Sequence, residues 1–346
     1  MSTQVLKQGL GLDVSKDSVA ACFSQQESGK PFRILSNKTF SSSASGLEQL
    51  HLWAERQRYA PVELHVSMEA TGVYYEELAY FLRSKNYRVS VMLPNKTAAY
   101  AKSLDYKSKD DKVDAQKLAQ LALERLLPSW EPPSEAMLKI KRLCREREEL
   151  VDEKTSVSNR LHARQHSHKP EKSSIQRAKS ALKFLKKQIQ GAEKAIKVAI
   201  AADADIKRRI DNTCTIAGVG LLTAAIVVSE ANGFALFKNK AQLVSYAGYD
   251  VVKDQSGTSR NSPGVISKKG NSHIRKALYF PALVSVKHIP GMKKLYDGVF
   301  DRTKIKMKGY VAVQRKLLVL IYSLYKNGQD FDPQFQPAKK QKPASQ

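Results

Sequence analysis

Several carboxylates in the first third of the chain are spaced for joint chemistry. Asp13 falls near the end of the first apolar strand pattern, GLDVS, and Glu69 ends the fourth, just before Ala70-Thr71-Gly72 turns the chain. The run Lys109-Asp110-Asp111-Lys112-Val113-Asp114 opens a helix, so Asp111 and Asp114, three residues apart, share one helix face. Four converging carboxylates repel unless a cation neutralises them, and oxygen-only donors suit Mg²⁺. Two such ions about 3.5–4 Å apart can activate an attacking oxygen and stabilise a leaving one, which is phosphodiester chemistry. Each acid also has an ordinary explanation. Asp13 is a turn former, Glu69 a satisfied strand-end acid, Asp110 or Asp111 a helix cap and Asp114 a favourable charge at a helix start. Asp110 remains an alternative to Asp111 as ligand.

A second group lies in the C-terminal third. Ser256 sits in the polar stretch KDQSGTSRNSPG, where Gly257 lets the backbone approach a substrate. A serine hydroxyl needs activation, and no histidine is fixed beside it by sequence, although His273 is within reach along the chain. Tyr249 and Tyr279 are alternative nucleophiles, with Tyr279 better explained by packing among Leu278, Phe280 and Pro281. Ile216-Ala217-Gly218-Val219-Gly220 has the glycine turn of a helix-hairpin-helix element, which offers backbone N–H groups to phosphate; a tight interhelical turn is the alternative. Residues 264–326 hold fourteen Lys and Arg against Asp297 and Asp301. Arg260, Lys268, Lys269, Arg275, Lys276, Lys304, Lys306 and Lys308 are the expected phosphate contacts. His162, His166 and His168 lie in a basic helix end and make a poor zinc site.

The elements that must position these residues follow from periodicity. Residues 8–14, 18–24, 32–40, 63–68 and 88–93 read as strands; Ser45 with Glu48 forms a capping box for a helix to about Arg58, and a second helix covers 73–85. The order β-β-β-α-β-α-β predicts an α/β RNase H-like (RuvC-like) domain over 1–130. Pro128, Pro132 and Pro133 mark a linker. Residues 131–210 predict a helical coiled-coil hairpin arm, with helices over 134–164 and 174–202. Residues 211–328 predict a mainly α-helical C-terminal domain, and 329–346 a disordered tail.

Composition narrows the partners. The net charge of +25, from 58 Lys and Arg against 33 Asp and Glu, favours a polyanion. Cys22, Cys144 and Cys214 are widely spaced and read as reduced packing residues. No apolar run is long enough to span a bilayer and no leader precedes the first strand, so a soluble, cytoplasmic, nucleoid-associated protein is expected, with no membrane partner.

These motifs together resemble a known family, the insertion-sequence transposases with an Asp-Glu-Asp-Asp RuvC-like domain, which includes Piv-type invertases and bridge-RNA-guided recombinases. The resemblance rests on GLDVSKDS, MEATGVYYEELAYFL, VMLPNKTAAYAKS and KDDKVDAQKLAQLA, then TIAGVGLLTAAIVVSE, FKNKAQLVSYAGYDVVKDQSG and SKKGNSHIRKALYFPALV, in order from about residue 8 to 328. It implies that Asp13, Glu69, Asp111 and Asp114 bind divalent metal. It also implies that Ser256, placed in a Ser-Gly seven residues after Ala247-Gly248, is the nucleophile and forms a phosphoserine link to DNA. The resemblance further implies a noncoding bridge RNA, donor and target DNA, and a homo-oligomer, dimer or tetramer, in which the serine meets the acids of another protomer. Val251 stands where relatives often have proline, and SRNSPG replaces their Arg-Gly, which weakens a family role for Arg260.

Overall fold

The computed structural model describes residues 4–70, 72–104, 110–235, 237–252, 255–256, 260–261 and 264–334. The chain divides into two compact units, Met1–Pro132 and Pro133–Gln346. The division falls between Pro132 and Pro133.

In the first unit the elements run β1 (Val5–Val14), β2 (Ser18–Glu27), β3 (Arg33–Ser41), α1 (Ala44–Gln57), β4 (Leu64–Glu69), α2 (Tyr75–Ser84), β5 (Arg88–Met92), α3 (Pro94–Ala101) and α4 (Asp111–Glu124). They form one five-stranded sheet in the order β3-β2-β1-β4-β5. The first three strands are antiparallel, while β4 and β5 run parallel to β1. This is the RNase H-type arrangement that the order of elements predicts. Because helices cover both faces, β1 is buried along most of its length. Leu10, Leu12 and Val14 pack with Leu47 and Leu50 of α1 and Leu78 and Leu82 of α2. Gly9 and Gly11, on the alternate positions, face α4.

Three local details differ from expectation. Helix α1 is capped by Ser43, whose side chain accepts from the Gly46 N–H, and Glu48 pairs with Lys85 instead of closing a capping box. Pro94, just beyond the strand expected over 88–93, opens a helix not foreseen there, α3, and sits in its first turn, where its missing N–H costs nothing. The linker is docked: the Trp130 N–H donates to the Val89 carbonyl, Ser90 donates to the Pro128 carbonyl, and the Trp130 ring meets Tyr80 edge-on.

The second unit contains α5 (Glu135–Gln165), α6 (Lys172–Ala201), α7 (Ala204–Cys214), α8 (Leu221–Glu230), α9 (Lys240–Tyr246), short strands β6 (Val251–Val252), β7 (Gln255–Ser256), β8 (Arg260–Asn261) and β9 (Val265–Ile266), then α10 (Ser272–Ala277), α11 (Tyr279–His288), α12 (Pro290–Thr303) and α13 (Lys306–Asn327). The long helices α5 and α6 are the expected hairpin, within one or two residues at each end. Val157, Ala178 and Leu185, with Leu150, Leu161 and Leu182 beside them, form a small core of their own between these helices. At the base Met137, Ile140 and Cys144 join Ile196 and Ile200 in the main core of the unit, around Phe234, Leu243, Tyr249 and Leu317. The three cysteines are free, and burial raises each thiol above its ordinary range, as expected of packing residues. Two residues of the expected tail are held in place: Asn212 donates to Asp330, and the Phe331 N–H donates to Thr215. Residues 335–346 lie outside the described residues.

Candidate active site

Pairing of Leu12 with Met68 in the parallel β1–β4 ladder is the last registered pair, so Asp13 and Glu69 follow it side by side at the same end of the sheet. Helix α4 brings the other acids there. Its N-terminus is fixed by Asp110, whose side chain accepts from the Val113 N–H at 2.8 Å. That occupies Asp110 as the cap and leaves Asp111 and Asp114 in the first helical turn.

The helix can reach this edge only because its path across the sheet is lined with small residues. A Cβ at Gly11 would collide with the backbone of Ala115 and Ala119, and one at Gly9 would lie 2.8 Å from the Ala119 carbonyl oxygen. Ala115 and Ala119 pack on Ala20 and Cys22, and Ser67 donates to the Leu118 carbonyl at 2.6 Å, tying α4 to β4. Sequence reasoning missed Gly9, Gly11 and Ser67 as positioning residues. The alternation of glycine with leucine in GLGLD was the available signal.

The electrostatics bear out a shared environment. Burial, then the charges of Asp111, Asp114 and Glu69, push Asp13 from an ordinary 3.8 up to about 6, against a hydrogen bond from the Val14 N–H. Thr97, on the unforeseen α3, donates to Glu69, and Lys117 pairs with Asp114 at 2.8 Å. Among the described residues no three His, Cys, Asp or Glu side chains are gathered closely enough to enclose an ion. The acids thus act on Asp13 through space, while Thr97 and Lys117 hold two of them. The donors are oxygen-only and the central one is destabilised as an anion, which is the donor chemistry a hard divalent cation takes and a repulsion that such a cation would relieve.

The expected nucleophile sits at the end of a hairpin. Val251 and Val252 pair with Ile266 and Val265, and further out Gln255 and Ser256 pair with Asn261 and Arg260. The base of the hairpin is clamped. Arg275 donates to the carbonyls of Ala247, Gly270 and Asn271, and neither Gly248, at positive φ, nor Gly270 has room for a Cβ. Behind it, Glu230, only 1 % exposed, accepts both a bidentate pair from Arg145 and a bond from Asn271. Arg275 therefore braces the hairpin base through one guanidinium nitrogen, Nη1.

Other expectations sort similarly. Lys276 is held by Glu148 and Asp152, and His273 by Glu148 at 2.5 Å, so neither is a free group facing a substrate. Gly218, at φ 96°, abuts Pro281 and Val284 of α11, and Ser285 donates to the Ala217 carbonyl, so packing accounts for it; Gly220 is exposed at the start of α8. Tyr249 is fully buried with its hydroxyl on Gln314, which explains it as a core residue. Lys268, Lys269, Lys304 and Lys306 are exposed, with Lys304 as the left-handed cap of α12, and Lys308 is half-buried. His162 and His166 stack on each other in an exposed helix end. No helix among the described residues is long and apolar enough to cross a membrane.

With this geometry in place, comparison with known proteins narrows the class. Residues 10–170 match a family model described as a transposase, of the DEDD IS110 type, and residues 211–297 match the "Transposase IS116/IS110/IS902 family" model. The chain is 29% identical over 329 residues to the pilin gene-inverting protein of Moraxella bovis, covering 93% of this chain and 97% of that protein, and equally to its Moraxella lacunata counterpart. It is 25% identical over 111 residues to an uncharacterized 43.6 kDa protein of insertion element IS110 from Streptomyces coelicolor, 32% of this chain and 27% of that one. Among solved structures, Thermus thermophilus RuvC in complex with a Holliday junction substrate overlaps 33% of this chain and 90% of its own, at 12% identity and a TM-score of 0.24; that overlap adds nothing to the topology above. The sheet topology and the two matches support a DNA transposase or recombinase. Their order along one chain supports, more narrowly, the IS110 type.

Proposed function

We propose that this protein is the transposase of an insertion sequence, cleaving and exchanging DNA strands between the element and its target through a phosphoserine intermediate. The observation that carries the reading is Asp13: burial first, and then the charges of Asp111, Asp114 and Glu69 from α4 and β4, raise its carboxyl. Asp13, Glu69, Asp111 and Asp114 would hold Mg²⁺, which supplies activation of an attacking oxygen and stabilisation of a leaving one. Asp110 caps α4 and keeps Asp111 and Asp114 in place, while Thr97 orients Glu69.

In the proposed reaction the Ser256 oxygen bonds to a phosphodiester phosphorus as the bond to one DNA oxygen breaks, and the serine proton passes by way of a site carboxylate to that oxygen, which leaves as a hydroxyl. A hydroxyl from the exchanging strand then attacks the same phosphorus and releases the serine. The bond energy is kept throughout, so no nucleotide cofactor is consumed. The similarity to pilin gene-inverting proteins favours strand exchange over simple hydrolysis. A noncoding bridge RNA pairing with donor and target, and a homo-oligomer that brings Ser256 to the acids, complete the proposal. Exposed Lys268, Lys269, Lys304 and Lys306 and the Gly220 turn are the phosphate contacts we retain.

The test is strand exchange by full-length variants. Asp13→Asn, Glu69→Gln, Asp111→Asn and Asp114→Asn should each abolish it, as should EDTA, while Asp110→Asn should be milder. Wild-type exchange in EDTA, or by two of the four acid variants, contradicts the proposal.

A further inference from the structure

The arm divides by charge. From Glu135 to Glu153 acids and cations are interleaved, and several are paired: Arg147 with Glu193, and Glu148 and Asp152 with Lys276. From 154 to 190 there are ten Lys and Arg against one acid, Glu171, which is occupied as the N-cap of α6. Lys179, Lys183, Lys186, Lys187, Lys194 and Lys197 are all exposed. Among the described residues none of the six has an acidic partner.

Their spacing places most of them on one flank of α6. Steps of three or four residues lead from 179 through 183, 186, 190 and 194 to 197, beside the inward row of Ala178, Leu182, Leu185, Ile189, Ala192 and Ile196. At 1.5 Å per residue the stripe is about 27 Å long, most of a turn of duplex DNA. Like charges at i,i+3 and i,i+4 weaken a helix, so an unopposed row is a cost that the small α5–α6 core must offset and that a polyanion would relieve.

We infer that the α6 stripe is a rail for the phosphate backbone of double-stranded DNA, separate from the acid edge and the Ser256 hairpin. It rests on the reading above only for the choice of DNA. Lysine ammonium groups are point charges that hold phosphates without reading bases. Single-strand binders interleave aromatic platforms with their cations, and this stripe has only Phe184 near it, 61% exposed. A second copy's distal arm carries the same sign and repels it.

The experiment compares full-length wild type with the Lys179→Gln/Lys183→Gln/Lys186→Gln/Lys187→Gln variant. Binding to a random-sequence duplex of about 40 base pairs is measured by anisotropy between about 50 and 200 mM salt. Loss of three to four phosphate contacts should flatten the slope of log K against log salt by about 3, so that wild type loses roughly 50- to 100-fold more affinity across that range. The matching Lys→Arg variant should behave as wild type, which separates charge from folding, and circular dichroism should show unchanged helix content. An unchanged salt slope overturns the inference. So does a slope that changes only with single-stranded DNA or duplex RNA, or a variant whose sole defect is a smaller assembly in sedimentation. Because no cleavage is read, loss of the serine or metal reading leaves this result standing.

Discussion

Replacing Asp13 should stabilise the protein while destroying its activity. The carboxyl has a folded-state pKa of about 6 against an ordinary 3.8. A raised carboxylate stabilises the fold fully only below the lower value, and that contribution is lost as pH rises through the upper one. The native chain binds more protons than the unfolded chain between those pH values, so stability from this group falls as pH rises from about 4 to 6. A shift of about two units corresponds to about 3 kcal/mol, and allowing for the partial exposure of the side chain leaves roughly 1–2 kcal/mol at neutral pH. Asn keeps the shape and the oxygen facing the Val14 N–H but never ionises. In EDTA at pH 7.5, Asp13→Asn should therefore melt about 3–8 °C above wild type, with the difference shrinking toward pH 4. Adding Mg²⁺ should raise the wild-type midpoint and move the variant little. Calorimetry of both proteins from pH 4 to 8 checks this. A variant that melts at or below wild type in EDTA at pH 7.5, or a difference independent of pH, would refute the electrostatic reasoning.

Other outcomes follow from the same geometry. Gly11→Ala drives a methyl into the backbone of α4, so it should displace Asp111 and Asp114 from Asp13 and lower strand exchange by at least about 100-fold, with DNA affinity retained, as measured by parallel exchange and binding assays. His65 is buried on Ser90, and burial, with Arg88 nearby, lowers it to about 4 from 6.5. Its folded pKa is depressed, so stability of about 3 kcal/mol should be lost as pH falls from 6.5 to 4, and His65→Asn should flatten that acid limb in urea titrations. Arg145→Ala leaves Glu230 buried without its bidentate partner and should cost about 3 kcal/mol in chemical denaturation, whereas a cost below about 1 kcal/mol would mean that Asn271 and the Lys141 charge satisfy the carboxylate.

Much of this organisation is legible in the residues because strong periodicity and chemistry coincide. The strands of the first unit alternate or run apolar between turn residues, and the arm helices are long enough for their spacing to decide their type. The acids are legible as a set because RNase H-type topology puts the ends of β1 and β4 together. What escapes is close approach. Gly9 and Gly11 look like weak strand residues until α4 lies across them, and Thr97 is invisible as a partner of Glu69 because Pro94 reads as a strand stop before it reads as a helix start. The basic residues mislead for the same reason. Arg275 and Lys276 look alike in sequence, yet one donates to three carbonyls at the hairpin base and the other pairs with acids of α5, while a row of lysines with no acidic partner among the described residues lies on α6. Formal charge is a property of sequence, but whether a charge is spent inside the protein depends on packing.

The central claim is that Ser256 and the acid edge perform one phosphoryl-transfer reaction, and trapping the covalent intermediate tests it most directly. Full-length protein is incubated with its guide RNA, donor and target DNA and Mg²⁺, denatured, digested with nuclease and protease, and the DNA remnant is mapped by peptide mass spectrometry. The account predicts a nucleotide on Ser256 alone, lost with EDTA and with Asp13→Asn, and absent in Ser256→Ala although that variant still binds both nucleic acids. A remnant on Ser259, Ser262, Ser267 or Tyr279, or wild-type recombination by Ser256→Ala, would contradict it.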